Sequence, residues 1–431
     1  MCGRHNVGMR VSGRWLLVCA ALLGFALRFG YAAASGALRH PEGWEMERMA
    51  TNLVEGRGFS FEMWSLTYRS YAEPMYPYFA AAIYFVTGHS RTALVLVQLV
   101  IASLMIYIGG RVAALSANVA AGVVTAVLLA IHPGLIRYSS VLHPFVLDAF
   151  FFLAAGAALV LCRQRPTLGR CCAAAALIGL GALTRPTILV FLVPVWWIGW
   201  RSRERLGARL QRIAIVTATA LVFVLPWTIR NAVVHHELML TRSGTGFVFW
   251  LGNNPASSGS AVDRTGRSLL LDAPDEFQQR IFAADEPTRD RLFRDAAWQN
   301  IRANPAAAAG RVAQRLFHFW WFSPQWGSYG GYSSLAKLVY RCWWGALLLL
   351  VATGLIALAR APALRRHDLL LLAGLAVLLS IVQSLYYVEG RHRLAVEPLI
   401  LPLAAVGAIF VVESMTGRDI VTSANRVATS G

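Results

Sequence analysis

The chain alternates apolar blocks of about 15 to 24 residues with polar segments. Blocks of this length cross a hydrocarbon core of about 30 Å as helices. The pattern predicts ten membrane-spanning helices and a short helix at 75–88 that dips into the membrane. The predicted spans are 14–34, 92–110, 117–136, 141–162, 171–184, 187–200, 213–230, 340–359, 368–387 and 396–413.

Composition agrees with an all-α polytopic membrane protein. Of the 431 residues, 57% are hydrophobic and 14% are charged, whereas soluble domains carry about 25% charged residues. This excludes secreted and cytosolic enzymes and disordered chains. The net charge of +18 does not indicate nucleic-acid binding, because Lys337 is the only lysine and such arginine dominance is typical of coding bias. The six cysteines lie in or beside apolar runs, which favours neither a disulfide framework nor a zinc site.

Arginine placement predicts the orientation. If the ten spans cross the membrane in alternating directions, four arginine clusters fall on the same side. By the positive-inside rule this side is the cytoplasm, and both termini are predicted to lie there too. The N-terminus resembles a signal peptide, but its long apolar run predicts an uncleaved anchor. The clusters are Arg4, Arg10 and Arg14; Arg163, Arg165 and Arg170; Arg201, Arg203, Arg205, Arg209 and Arg212; and Arg360, Arg365 and Arg366.

The predicted spans divide the chain into four regions. Residues 1–230 form an N-terminal transmembrane module that includes an outer loop at 35–75, and 231–339 form a large extracytoplasmic loop. Residues 340–414 carry the C-terminal transmembrane helices, and 415–431 form a cytoplasmic tail. The loop at 231–339 is too long for a simple connector, so it is predicted to be a small appended domain. The large polar segments face away from the cytoplasm, where we expect the chemistry.

The first outer loop carries an amphipathic helix, which is suited to lie on the membrane surface. Its apolar stripe consists of Met46, Met49, Ala50 and Leu53.

Two acids on this helix have different directions. Glu45 and Glu47 are about 200° apart around a helix, so they do not point into one cavity. Two interpretations of Glu45 stay open. It is either a carboxylate at the mouth of a membrane cavity, where it takes a proton from an acceptor, or the ion-pair partner of Arg48 on a solvated face.

Five strings in the outer segments resemble motifs of the GT-C glycosyltransferases. The similarity is to family 39-like members: aminoarabinose transferases, protein mannosyltransferases and bacterial RgtA/B/C/D-like proteins. Together the strings are spread over nearly the whole chain, in the family's order. They are Tyr71-Ala-Glu-Pro-Met-Tyr-Pro-Tyr-Phe-Ala80, Gly181-Ala-Leu-Thr-Arg-Pro-Thr187, Leu225-Pro-Trp-Thr-Ile-Arg-Asn231, Gly246-Phe-Val-Phe-Trp-Leu-Gly-Asn-Asn-Pro255 and Tyr387-Val-Glu-Gly-Arg-His-Arg-Leu-Ala-Val-Glu-Pro398.

The resemblance implies a polyprenyl-phosphate-sugar-dependent hexosyl- or pentosyltransferase. Such an enzyme moves a sugar from a polyprenyl-phosphate carrier to an acceptor (lipid, glycan or protein), with inversion at the anomeric carbon. The reaction takes place at the outer leaflet of a bacterial inner membrane. Three alternatives stay open: a flippase or transporter of polyprenyl lipids, a polymerase or ligase of surface polysaccharide, and a family member without activity that is kept as a subunit.

The resemblance also assigns catalytic candidates. Glu45 falls where the family places its first-loop acid, the general base or acceptor-orienting group. Glu73 matches the acid of the "E-K-P" turn in aminoarabinose transferases, which is associated with a metal near the carrier phosphate, although Pro74 replaces the lysine. His143 stands where the family often has a second acid. It serves as a base or ligand, or the acid's role is lost or taken over by Asp148, deeper in the span.

A lipid phosphate leaving group needs fixed cations. Arginine suits this role because its planar fork holds phosphate through two hydrogen bonds. The alternative is that these arginines snorkel to lipid headgroups. The candidates at outer helix ends are Arg137, Arg185, Arg391 and Arg393, with Arg230 expected to be structural.

A divalent metal site is a weaker hypothesis. His235 opens the large outer loop, and together with Glu237 it is positioned to approach Glu73. No third ligand follows at a zinc-like spacing, so a plain polar helix end is the favoured interpretation. The Gly252–Pro255 turn either lines a sugar or acceptor site or is only a turn.

Overall fold

The computed structural model describes residues 11–201, 204–323, 333–360 and 366–417. The predictions for Arg4, Arg10, Arg203, Arg365 and the tail at 418–431 lie outside these residues. The N-terminal half contains α1 (Val11–Ala34), α2 (Glu45–Val54), β1 (Phe61–Met63), β2 (Leu66–Tyr68), α3 (Met75–Thr87), α4 (Arg91–Ser116), α5 (Val119–Ala130), α6 (Pro133–Tyr138), α7 (Phe145–Gln164), α8 (Leu168–Ala182), a 3₁₀ segment (Pro186–Phe191) and α9 (Leu192–Trp200). The rest contains α10 (Leu206–His235), α11 (Thr245–Asn253), α12 (Asp275–Ala283), α13 (Glu286–Ala303), α14 (Pro305–Trp320), α15 (Ser334–Arg360), α16 (Arg366–Gln383), a second 3₁₀ segment (Gly390–Ala395) and α17 (Glu397–Thr416).

Each of the ten predicted spans coincides with apolar helical segments of the structure. Seven described helices are long and apolar enough to cross a membrane: Gly13–Ala34, α4, α7, α10, α15, α16 and α17. The other three predicted spans coincide with shorter apolar helices, Val119–Ala130, Leu168–Ala182 and Pro186–Trp200. The prediction of one helix over 117–136 is wrong in detail. The helix ends at Ala130, and Pro133, which lacks an N–H group, begins α6 instead.

Helix ends that the ten-span prediction assigns to the cytoplasmic side lie close together in the structure. At the end of α7, Arg163 pairs with Asp368 in the first turn of α16, and Gln164 donates to the same carboxylate at 2.7 Å. At the start of α10, Arg212 donates to the Pro166 carbonyl at 2.8 Å. Charged side chains therefore join three helices at the end of the bundle opposite the outer loops.

The C-terminal helices pack closely through glycine. A Cβ on Gly354 of α15 would lie 2.2 Å from the Leu403 carbonyl oxygen of α17. A Cβ on Gly407 of α17 would lie 1.9 Å from the Leu350 carbonyl oxygen of α15. Because both distances are far below van der Waals contact, only glycine allows these two backbones to approach. This contact sets the position of α17 against α15.

The outer segments fold over one end of the bundle. The first outer loop consists of α2 and an antiparallel hairpin in which Phe61 pairs with Tyr68. In the large loop, α11 to α13 enclose a separate apolar cluster around Trp250 and Phe293. A backbone bond from Ser243 N to Ser70 O, 2.8 Å, joins the two segments.

Candidate active site

A cavity of about 360 Å³ lies at the outer-loop end of the bundle. It is lined by both outer loops, by the residues that open α7, by the α8–α9 connection and by the connection between α16 and α17. Five predicted site residues line it, together with the alternative acid Asp148: Glu45, Glu73, His143, Arg185 and Arg391. The structure thus brings together residues that are spread over most of the sequence.

Backbone pairing places α2 beside His143. The Leu142 amide donates to the Glu42 carbonyl at 2.8 Å, so the chain entering α2 runs beside the chain entering α7. As a result the Trp44 ring meets the His143 ring edge-on, with centroids 4.7 Å apart. Glu45, the next residue, begins α2 at the cavity wall.

The two acids of α2 point in different directions, as their spacing predicts. Glu47 is 1% exposed; its carboxylate pairs with Arg91 at 2.9 Å and accepts from the Tyr84 hydroxyl at 2.9 Å. Glu45 instead lines the cavity, and it makes no hydrogen bond or ion pair with another described residue. The pairing of Glu45 with Arg48 that the sequence left open is therefore not formed.

Four guanidinium groups line the cavity. Arg289 donates to the Tyr68 hydroxyl at 2.8 Å, and each of the other three is paired with a carboxylate. Pairing offsets the cost of removing these charges from water and holds each guanidinium in place. The pairs are Arg185–Asp148 at 2.6 Å, Arg242–Glu73 at 3.4 Å and Arg391–Glu389 at 3.2 Å.

Arg242 is a site residue that sequence reasoning missed. It follows α10 in the large outer loop, in the string Thr241-Arg-Ser-Gly244. It reaches Glu73 because backbone and side-chain bonds hold the neighbouring residue Ser243 to Ser70. Its position in the polar entry to the large loop is the only sequence signal that marks it.

Glu286 organises the junction between the outer loops. From the first turn of α13, its carboxylate accepts from the Arg69 amide at 2.5 Å, the Ser70 amide at 2.8 Å and the Ser243 hydroxyl at 2.6 Å. One buried acid thus holds the segments that carry Glu73 and Arg242. Sequence reasoning did not single it out.

Two histidines in the cavity are neutral. Burial lowers the pKa of His143 well below its ordinary value, and the charges of Arg391, Arg185 and Arg242 lower it further. Burial also lowers the pKa of His392 well below its ordinary value, and the charges of Arg185, Arg391 and Arg242 lower it further. Both rings therefore carry one proton at neutral pH and present a lone pair. His143 Nδ1 is buried without a hydrogen-bond partner among the described residues.

Two predicted phosphate ligands lie elsewhere. Arg137 pairs with Glu42 at 2.8 Å, outside the cavity lining. Arg393 is fully buried, pairs with Glu397 at 2.6 Å and lies 3.8 Å from the centroid of the Trp344 ring. Because Arg393 points into the helix bundle, it cannot reach a phosphate in the cavity. The prediction for these two arginines is corrected accordingly.

The polar end of α10 is built into the loop junction. Arg230 donates to the Arg69 carbonyl at 2.7 Å, which agrees with the structural role expected for it. His235 lies 2.9 Å from the Ser70 hydroxyl and 3.7 Å from Glu286, so its partner is not Glu73. Among the described residues, no group of three His, Cys, Asp or Glu side chains is arranged to hold a metal ion. The predicted Glu73–His235 metal site therefore does not fit the geometry.

The Gly252–Pro255 turn is structural. Arg315 donates to the Gly252 carbonyl, and the Asn253 side chain donates to the Leu385 carbonyl at 3.0 Å. The turn thus ties the large loop to the segment after α16, and neither residue lines the cavity.

These features define the class of protein: an all-α, multi-pass membrane protein with a charged cavity between its helix ends and two long loops. Comparison with known proteins gives its fold. Eleven chains of solved structures match. No protein-family model matches the sequence, and no curated protein matches it.

The Archaeoglobus fulgidus oligosaccharyltransferase tethered with an acceptor peptide matches with a TM-score of 0.53 and 14% identity, over 97% of this chain and 54% of that one. The same enzyme in complex with an inhibitory peptide and a dolichol-phosphate matches with a TM-score of 0.52 and 15% identity, over the same shares. ArnT from Cupriavidus metallidurans bound to undecaprenyl phosphate matches with a TM-score of 0.41 and 16% identity, over 94% of this chain and 78% of that one.

The chain therefore has the GT-C fold that its motifs predicted. It spans about half the length of the archaeal oligosaccharyltransferase. At this level of identity the similarity establishes the fold and not the activity.

Proposed function

We propose that this protein is a glycosyltransferase that moves a sugar from a polyprenyl-phosphate carrier to an acceptor at the outer leaflet of the bacterial inner membrane. One observation carries the proposal: an unpaired carboxylate, Glu45, shares a cavity with three guanidinium groups that carboxylates hold in place. A transfer from a lipid phosphate needs this combination, a base for the acceptor and cations for the leaving group.

The proposed reaction is a single displacement. The acceptor oxygen or nitrogen attacks the anomeric carbon while the bond from that carbon to the phosphate oxygen breaks, and the phosphate leaves with the bonding electrons. Glu45 accepts the proton that the acceptor loses. The configuration at the anomeric carbon inverts because attack and departure occur on opposite faces.

The arginines stabilise the leaving group. Arg185, Arg242 and Arg391 are already oriented by their carboxylates, so little reorganisation is needed when negative charge develops on the phosphate. In the matching oligosaccharyltransferase complex, a dolichol-phosphate is bound to the same fold. That complex supports a lipid phosphate as the ligand of this cavity.

Neutral His143 is assigned to the acceptor side. A neutral imidazole accepts or donates a hydrogen bond without adding a further positive charge. It therefore helps to orient the acceptor beside Glu45, in the place where the family often has a second acid.

Transfer in proteoliposomes tests the proposal. The purified protein is given radiolabelled polyprenyl-phosphate sugars, and both label transfer and carrier movement across the bilayer are followed. Transfer of label from the carrier to an acceptor or to water is the expected result. Carrier crossing the bilayer with the sugar still attached would instead make the protein a flippase.

A further inference from the structure

The hairpin of the first outer loop has a strained tip. Trp64 and Ser65 connect β1 to β2, and both have left-handed backbone, with φ values of 52° and 57°. Two-residue turns of this handedness match the twist of the strands, but they favour asparagine and glycine. A bulky side chain there costs conformational free energy, and such strain persists where the surroundings hold it, often at ligand-binding sites.

The tip places an indole ring in the cavity wall. Trp64 lines the cavity, and its ring meets Phe247 of α11 at 5.6 Å and 81°, and Phe282 of α12 at 6.2 Å and 78°. Neither contact is a parallel stack. The ring is therefore held edge to face by the large loop, without another described ring stacked in parallel on it.

The cavity has two chemically different walls. Asp148, Arg185 and Arg391 lie at or beside the ends of membrane helices, whereas Trp64 and Phe247 belong to the outer loops. A carrier anchored in the bilayer by its chain would bring its phosphate to the helix ends, and its sugar would extend toward the outer loops. Aromatic faces carry partial negative charge, so they attract the C–H groups on one face of a sugar ring.

We propose that Trp64 is a binding residue that stacks on the pyranose ring of the lipid-linked donor. This inference rests on the proposed glycosyltransferase function and assigns to this position the recognition of the sugar. The strained turn is retained because it directs the indole toward the cavity. Glycine in place of Trp64 would relax the backbone of the turn but would remove the indole ring.

The test compares a sugar-bearing and a sugar-free carrier. In Trp64→Leu we expect the KM for the polyprenyl-phosphate sugar to rise about tenfold. The inhibition constant of bare polyprenyl phosphate should stay at the wild-type value, because the arginines hold the phosphate. Trp64→Tyr should restore most of the donor affinity.

Two control variants separate stacking from packing. Ser65→Gly changes the same turn, and Phe282→Leu removes a ring that packs on Trp64 without lining the cavity; both should keep the wild-type KM. An unchanged KM in Trp64→Leu, or equal rises in KM and in the inhibition constant, would overturn the inference. Absence of transfer by the wild-type protein would instead contradict the proposed function.

Discussion

At the scale of single residues, the cavity combines an unpaired acid with paired cations. Glu45 makes no hydrogen bond or ion pair with another described residue. Arg242, in contrast, is held 3.4 Å from Glu73. An unpaired carboxylate is available to take a proton, whereas a paired guanidinium keeps a fixed position. The two kinds of residue are therefore expected to respond differently to substitution.

Arg242→Gln should weaken the phosphate site. Loss of one charge-assisted contact is expected to lower kcat/KM for transfer by about 30-fold, and to raise the inhibition constant of bare polyprenyl phosphate. Arg137→Gln is the matched control, because Arg137 pairs with Glu42 outside the cavity lining. Equal activity of the two variants would refute a phosphate-binding role for Arg242.

The pH profile tests the state of His143. Its pKa is lowered by burial and by neighbouring arginines, so acidification from pH 8 to pH 6 should leave the ring neutral. Wild type and His143→Gln are therefore expected to show transfer profiles of the same shape over this range. An inflection near pH 6.5 in the wild type that is absent from the variant would show that the histidine gains a proton.

At the scale of elements, a polar junction around Glu286 holds the two outer loops together. Glu286 of α13 bonds to the backbone at 69–70 and to Ser243. These contacts connect the first outer loop to the large loop, and they hold Glu73 and Arg242 side by side. The junction is therefore expected to support both stability and activity.

Glu286→Ala should loosen this junction. The substitution leaves buried donors without an acceptor, and we expect an unfolding free energy lower by about 3 kcal/mol together with reduced transfer. Glu276→Ala is the control, because Glu276 is an exposed acid of the neighbouring helix α12. Thermal unfolding in detergent measures both variants. Identical midpoints would argue against the assigned anchoring role.

Local patterns predicted the elements better than the site. The stripe of Met46, Met49 and Ala50 predicted α2, and these residues are buried as expected. Arg242 and Glu286 were not predicted as site residues, because their roles depend on contacts between loops far apart in sequence. Arg393 was misassigned because nearness to a helix end along the chain does not determine the direction of a side chain.

At the scale of the whole molecule, the fold depends on helix packing that hydrophobicity alone does not specify. Apolar block lengths predicted where the helices lie, and seven spans are confirmed by length and composition. The break between α5 and α6 follows from Pro133. The close approach of α15 and α17 depends on Gly354 and Gly407, whose importance appears only when both helices are in place.

Gly407→Ala should separate α15 from α17. The added methyl group would lie 1.9 Å from the Leu350 carbonyl oxygen, and we expect a loss of about 2 kcal/mol in stability. Gly374→Ala in α16 is the matched control, since its Cβ would meet no atom within 4 Å. Thermal unfolding in detergent should show destabilisation only for Gly407→Ala. Equal stability of the two variants would contradict the packing described for these helices.

The most direct test of the central claim is sugar transfer by Glu45→Gln beside Glu55→Gln, at equal protein abundance. Glu55 follows the last turn of the same helix and pairs with Arg57, so it controls for the loss of an acid from α2. We predict that Glu45→Gln loses transfer by about 1,000-fold but still binds polyprenyl phosphate, while Glu55→Gln retains activity. Full transfer by Glu45→Gln would contradict the account.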